Sequence, residues 1–287
     1  MKGPSINRLA IKLEAKRSFG LNWKVCAVSA LILEVVSRLL DLFQARVSPV
    51  FSAIPESALQ SVDSYMNWMS SYLEKLPGIW DWRYTVVTIL VSIIVFMVVT
   101  PLRFGLYEIA MKLINGSEAS LRDIMQWFLS GDRIIRSIFL TVAVSLLAAF
   151  WWVVFSIPAA VILLLILKLS MAEAVAAQLL ILCAALAVVG AIAAVLRSSS
   201  YIVSFFLLAE NPGLTVRQAL RECRKIVSGR RAEFFILLLS FIVWLILAAL
   251  TYGALNVFLT PYMNLTVGYY IKAVRNLNGP PPLIEYE

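Results

Sequence analysis

No charged side chain interrupts the chain between Ile138 and Leu167, and further uncharged runs extend over Ala174–Leu196 and Phe234–Ile271. At a rise of about 1.5 Å per residue, a helix over 138–167 is roughly 45 Å long, more than the ~30 Å hydrocarbon core of a bilayer requires. These runs do not alternate between polar and apolar residues, and in lipid only helices or closed barrels satisfy their backbone groups, so helices are selected over a barrel. Composition agrees. The chain is 61% hydrophobic and 15% charged, with a mean hydropathy of +0.86, whereas soluble domains run nearer half apolar and about a quarter charged. The expected fold class is all-α: a polytopic transmembrane helical bundle with interfacial amphipathic helices.

The charges between the runs set the topology. Of the connector cations, only Arg46, Lys75, Arg83 and Lys168 fall on one side of the apolar runs; all the others fall on the opposite side. Cytosolic connectors hold the excess of Lys and Arg. Threading the chain on that rule gives about six spans, near 23–43, 84–114, 138–167, 172–209, 234–251 and 255–272, with both termini in the cytosol. They form a single domain over 1–275, followed by a disordered cytosolic tail at 276–287. The long third and fourth spans are read as tilted helices whose outer ends make a hairpin. An alternative splits one of them and changes the count. The basic N-terminus, followed by further spans, is not read as a cleavable signal. A net charge of +8 suits nucleic acid only superficially. These cations sit in short loops, where they face anionic headgroups, so the expected partners are membrane lipids at the inner face and not nucleic acid. A homo-oligomer and a membrane partner subunit both stay open.

Four connector segments read as amphipathic helices. Ile6, Leu9, Ala10 and Leu13 recur at helical spacing against Arg8, Lys12 and Lys16, as for a helix lying on anionic lipid. Leu59, Val62, Met66, Met69, Leu73 and Leu76 mark a second on the outer surface. Ser120, with Asp123 as capping partner, opens a third whose apolar face is Leu121, Ile124, Met125, Phe128 and Leu129. Thr215 opens a fourth, with Val216, Ala219, Leu220, Cys223, Ile226 and Val227 opposite Arg217, Arg221, Arg224 and Lys225. Cys26, Cys183 and Cys223 have no motif spacing and are expected as free thiols.

The third and fourth segments belong to an internal repeat. Leu121-Arg122 leads to Ser130-Gly131-Asp132-Arg133 and an apolar run, as Val216-Arg217 leads to Ser228-Gly229-Arg230-Arg231 and another. Thr100-Pro101 with Lys112 is echoed by Thr260-Pro261 with Lys272. Such repeats occur in transporters, where a site lies between the halves, and equally in bundles built by duplicating helix pairs. The chain also resembles a bacterial membrane-protein family known as domain of unknown function 975. The resemblance is carried by Asn7–Trp23, Thr100-Pro101-Leu102-Arg103-Phe104-Gly105-Leu106-Tyr107, Glu210-Asn211-Pro212 with Ser228-Gly229, Ser240-Phe241-Ile242-Val243-Trp244, and Pro261-Tyr262 ahead of Tyr269-Tyr270. It implies a polytopic α-helical fold, and with it a multi-pass place in a bacterial plasma membrane, but no activity. Family members usually pass from a Pro-Gly turn quickly into the next span. Here Pro158 is followed by Ala159 and apolar sequence through Val195.

Ionisable groups within spans are costly and mark functional candidates. Counted from Trp23, Ile114 and Glu210 at about 1.5 Å per residue, Glu34, Arg103 and Arg197 all lie roughly 16–20 Å inside the cytosolic boundary. Matching depth and opposite sign predict a pair or triad of Glu34 with Arg103 or Arg197, joined by Arg38 one turn away. It reads either as a lock on helix packing or as a polar cavity with Tyr107, Glu108 and Ser198–Tyr201 in its walls. In the cavity reading, surplus positive charge suits an anionic headgroup or peptide carboxylate. The absence of His excludes HExxH zinc sites and His-based nucleophilic schemes. No Walker loop, dinucleotide fingerprint or GxSxG elbow occurs. No catalytic residue, metal or cofactor is expected. The functional expectation is a non-enzymatic membrane protein that binds or helps move a small amphiphile, an anionic lipid or a peptide. The alternative is a scaffold or assembly partner of another membrane complex.

Overall fold

The computed structural model describes residues 7–47, 57, 60–75, 82–168 and 173–278. Among them regular structure is entirely helical: α1 (Arg8–Leu21), α2 (Trp23–Val47), α3 (Val62–Lys75), α4 (Trp82–Ile114), a 3₁₀ segment (Leu121–Phe128), α5 (Gly131–Lys168), α6 (Glu173–Ser199), α7 (Ile202–Glu210), α8 (Val216–Val227), α9 (Arg231–Leu239), α10 (Ile242–Leu250) and α11 (Asn256–Asn278). Ile6, Leu59 and Leu76 lie outside the described residues, as does the tail beyond Asn278. Residues 276–278, expected in that tail, continue α11.

Local chemistry explains the boundaries. Asn7 caps α1, its Oδ1 accepting the amides of Leu9 and Ala10 at 3.1 and 3.2 Å. Asn22 separates α1 from α2 and donates its side-chain amide to the carbonyl of Ser18 at 3.3 Å. Thr215 and Gln218 form a reciprocal capping box on α8. On the 3₁₀ segment the Asp123 carboxylate accepts the Ser120 amide at 2.9 Å.

Two expected continuous spans are broken. The fourth divides at Ser200–Tyr201 into α6 and α7, and the fifth at Ser240–Phe241 into α9 and α10. At each break serine hydroxyls donate back to helix carbonyls, Ser200 to Leu196 and Ser240 to Leu237. Such bonds compete with the helical ladder and bend it. The third span is one helix, α5, with Pro158 inside it. It runs beside α6, and Cys183 donates its thiol to the Ala159 carbonyl at 3.3 Å.

Among the described residues, four stretches are long and apolar enough to cross a membrane: Thr85–Ile114, Gly131–Ile166, Ala177–Glu210 and Arg231–Leu250. α2 and α11 have the length, 25 and 23 residues. α2, however, carries Lys24, Glu34, Arg38 and Asp41, and α11 is studded with Asn256, Thr260, Asn264 and Thr266. The principal core lies where α1, α7, α8, α9 and α11 meet, with Phe206, Phe234, Leu265, Tyr270 and Ile271 almost wholly buried. Polar ties hold this end. Arg275 pairs with Glu210 at 2.7 Å, and Lys272 donates to the Ile114 carbonyl at 2.8 Å. By contrast only 6% of the apolar window of α5 is buried. Phe139, Leu146, Phe150, Val153 and Ile157 line one exposed stripe of that helix, a surface stable in lipid and not in water.

Candidate ligand pocket

Three polar stripes converge between α2, α4 and α11. On α2, Glu34, Arg38 and Asp41 recur at three- and four-residue spacing and so share a face. Arg103 and Tyr107 stand one turn apart on α4, and Asn256, Thr260 and Asn264 line α11 at four-residue steps. Together they bound an open cavity of about 460 Å³. A second compartment of about 390 Å³ shares Ser37, Asp41, Arg103 and Tyr107 with the first. It continues between apolar side chains, among them Val95, Phe96, Val99 and Phe205. A polar chamber therefore adjoins a greasy one.

Within the polar chamber, Arg38 Nε donates to Glu34 Oε1 at 3.1 Å and its Nη2 to the Tyr252 carbonyl at 2.7 Å. The α10–α11 turn can lie this close because Gly253 has no side chain: a Cβ there would stand 2.3 Å from Arg38 Nη2 and 2.7 Å from Glu34 Oε1. Its φ of +83° independently favours glycine. Arg103 is exposed to the cavity and has no ion-pair partner among the described residues. The side-chain amide nitrogen of Asn264 is buried without a hydrogen-bond partner among the described residues, an arrangement that native interiors rarely tolerate unless something else supplies the acceptor.

The expected pairing is thus corrected. Glu34 binds Arg38, not Arg103 or Arg197, because i,i+4 spacing holds the two side chains together on one helix. Depth counting places residues along the bundle axis but says nothing of the face they occupy. Arg197 lies over the Trp151 ring, 4.4 Å from its centroid. Tyr201 stands beside it, its hydroxyl accepting Trp151 Nε1–H at 3.0 Å. Both line a separate pocket. Asp41, one turn beyond Arg38 on α2, lies in the cavity wall as well.

Glu108 is corrected as well. It belongs to a cluster that clamps the 3₁₀ segment onto α4. Its Oε1 pairs with Lys112 at 3.0 Å, its Oε2 accepts Trp127 Nε1–H at 2.8 Å, and Arg133 stands 3.9 Å away. Lys112 bridges onward to Asp123 at 3.0 Å. A Cβ on Gly105 would lie 2.5 Å from the Ile124 carbonyl oxygen, so only glycine lets the two backbones meet. The sequence carried signals for both missed sets: Glu108 and Lys112 are four residues apart, and the three α11 side chains repeat at four.

A profile of the family described as Protein of unknown function (DUF975) matches residues 6–278. The chain belongs to this family. The apolar helices of this member suit a membrane protein. A comparison with curated proteins finds no match, and neither does one with solved structures.

Proposed function

We propose that this DUF975 member is a non-enzymatic, multi-pass protein of the bacterial plasma membrane that binds, or helps to move, a small amphiphile. The carrying observation is the pair of adjoining chambers between α2, α4 and α11, one polar and one apolar. A headgroup enters the first and a tail the second. Arg103 supplies the counter-charge for an acidic group, and the unpartnered amide of Asn264 donates to one of its oxygens. Asp41, in the same wall, admits a basic group as well, so a zwitterionic headgroup fits best. In this reading α2 and α11 join the four apolar stretches as spans, their polar stripes turned inward, and both termini are cytosolic.

Purification of the protein in native lipid, followed by mass spectrometry of what co-purifies, tests the proposal. A bound amphiphile that is lost on Arg103→Gln supports it. Protein that carries the same species with or without Arg103, or carries none, defeats it. The scaffold reading draws on a different observation, the exposed Arg217 and Arg221 on the outer face of α8. A partner that co-purifies through those residues, together with an empty cavity, favours that alternative.

A further inference from the structure

A second pocket, of about 230 Å³, lies where α5, the α6–α7 break, the end of α8 and the start of α9 meet. Arg197, Arg224 and Arg231 line it, with Tyr201 and Trp151, and among the described residues no carboxylate does. None of the three guanidinium groups has an ion-pair partner among the described residues. The nearest acids in sequence are engaged elsewhere, Glu222 with Lys225 and Glu233 with Arg230. Arg197 shows the imbalance most sharply. Its guanidinium is stacked on Trp151, yet its Nε is buried with no acceptor. Stacking satisfies the face of a guanidinium and leaves its N–H edge unsatisfied. An unpaired cation held partly out of water is unfavourable unless a ligand completes it.

We infer that this pocket is a phosphate-binding site. A tetrahedral anion offers several acceptor oxygens to guanidinium forks arriving from different helices, a geometry that arginine suits better than lysine. Arg224 and Arg231 belong to the cationic connectors assigned above to the inner face, where anionic headgroups concentrate, and the α6–α7 break brings Arg197 against them in spite of its counted depth. Both an anionic phospholipid headgroup and a small phosphorylated solute carry the required group. The site is separate from the chambers beside Arg103 and does not depend on the function proposed for them.

The test uses the full chain in non-ionic detergent and native mass spectrometry, with phosphatidylglycerol, phosphatidylcholine and glycerol phosphate as probes. We expect a saturable one-to-one adduct with phosphatidylglycerol, at least tenfold weaker for phosphatidylcholine. Arg197→Gln and Arg231→Gln should each weaken it at least tenfold. Arg217→Gln, on the exposed face of α8, should leave it unchanged. Displacement of the lipid by equimolar glycerol phosphate identifies a soluble phosphate as the ligand; resistance to displacement identifies the lipid. Should Arg197→Gln fail to fold, the double variant Arg224→Gln/Arg231→Gln carries the same expectation. Adducts insensitive to all three arginines, or no saturable adduct with either phosphatidylglycerol or glycerol phosphate, would overturn the assignment.

Discussion

One glycine and one glutamate bear more on the structure than their neighbours. Gly253 combines a left-handed φ with a position against the Glu34–Arg38 pair. Gly253→Ala should destabilise the protein by about 1–3 kcal/mol through backbone strain, read as a lower midpoint in thermal unfolding of purified protein. An unchanged midpoint would show that the turn relaxes freely. Glu108 has a side chain only 9% exposed and faces Lys112 directly. Glu108→Gln leaves that ammonium with Asp123 as its remaining carboxylate. A buried pair broken on one side costs about 3–5 kcal/mol, and partial exposure of Lys112 should bring the loss towards the lower figure. Chemical denaturation of both proteins in the same detergent measures the difference. At this scale the sequence disclosed which residues were unusual, because an ionisable group in an apolar run stands out. It did not disclose their partners, since a count along the chain says nothing of helix face, and the α6–α7 break upsets the count for Arg197.

Elements were more legible than residues. The amphipathic period of α8 and its Thr215 cap emerge as expected, and Ala219, Leu220, Cys223, Ile226 and Val227 are its buried face. What the apolar pattern concealed was the pair of serine-bent breaks, because a hydropathy run is the same whether its helix is straight or interrupted. The amphipathic helix expected after Ser120 forms with its Asp123 capping partner and winds as 3₁₀, a tighter coil that lets Asp123, Ile124 and Trp127 all turn inward. On α8, burial pushes the Cys223 thiol up to about 12, outweighing the smaller downward pulls of the Ser204 backbone and Arg224. Maleimides react with thiolate, so Cys223 should resist labelling between about pH 7 and 9 in the folded protein and react fully once unfolded in SDS. Brisk labelling of folded protein would place α8 away from the core. Thr215→Ala removes the cap and should lower stability by about 1 kcal/mol, visible as a shifted denaturation midpoint.

For the molecule as a whole, the placement of connectors is the decisive measurement. Under the proposed six-span threading, Ser61→Cys lies outside and Ser228→Cys inside. A membrane-impermeant thiol reagent applied to intact cells should therefore label the first and reach the second only after permeabilisation. The opposite pattern would invert the threading, and labelling of both would dismantle it. The all-helical fold was legible because long uncharged runs leave the backbone no other way to bond in lipid. The pocket was legible only in part, since neutral Asn256, Thr260 and Asn264 carry no charge to betray them. One last arrangement bears on how the fold is reached. α1 buries Ile11 and Ala15 against the core that α11 completes, and Ser18 bonds through its hydroxyl to that of Tyr269. Ser18 and Tyr269 are 251 residues apart in the sequence, so α1 cannot close on this surface until α11 has been made and inserted beside it.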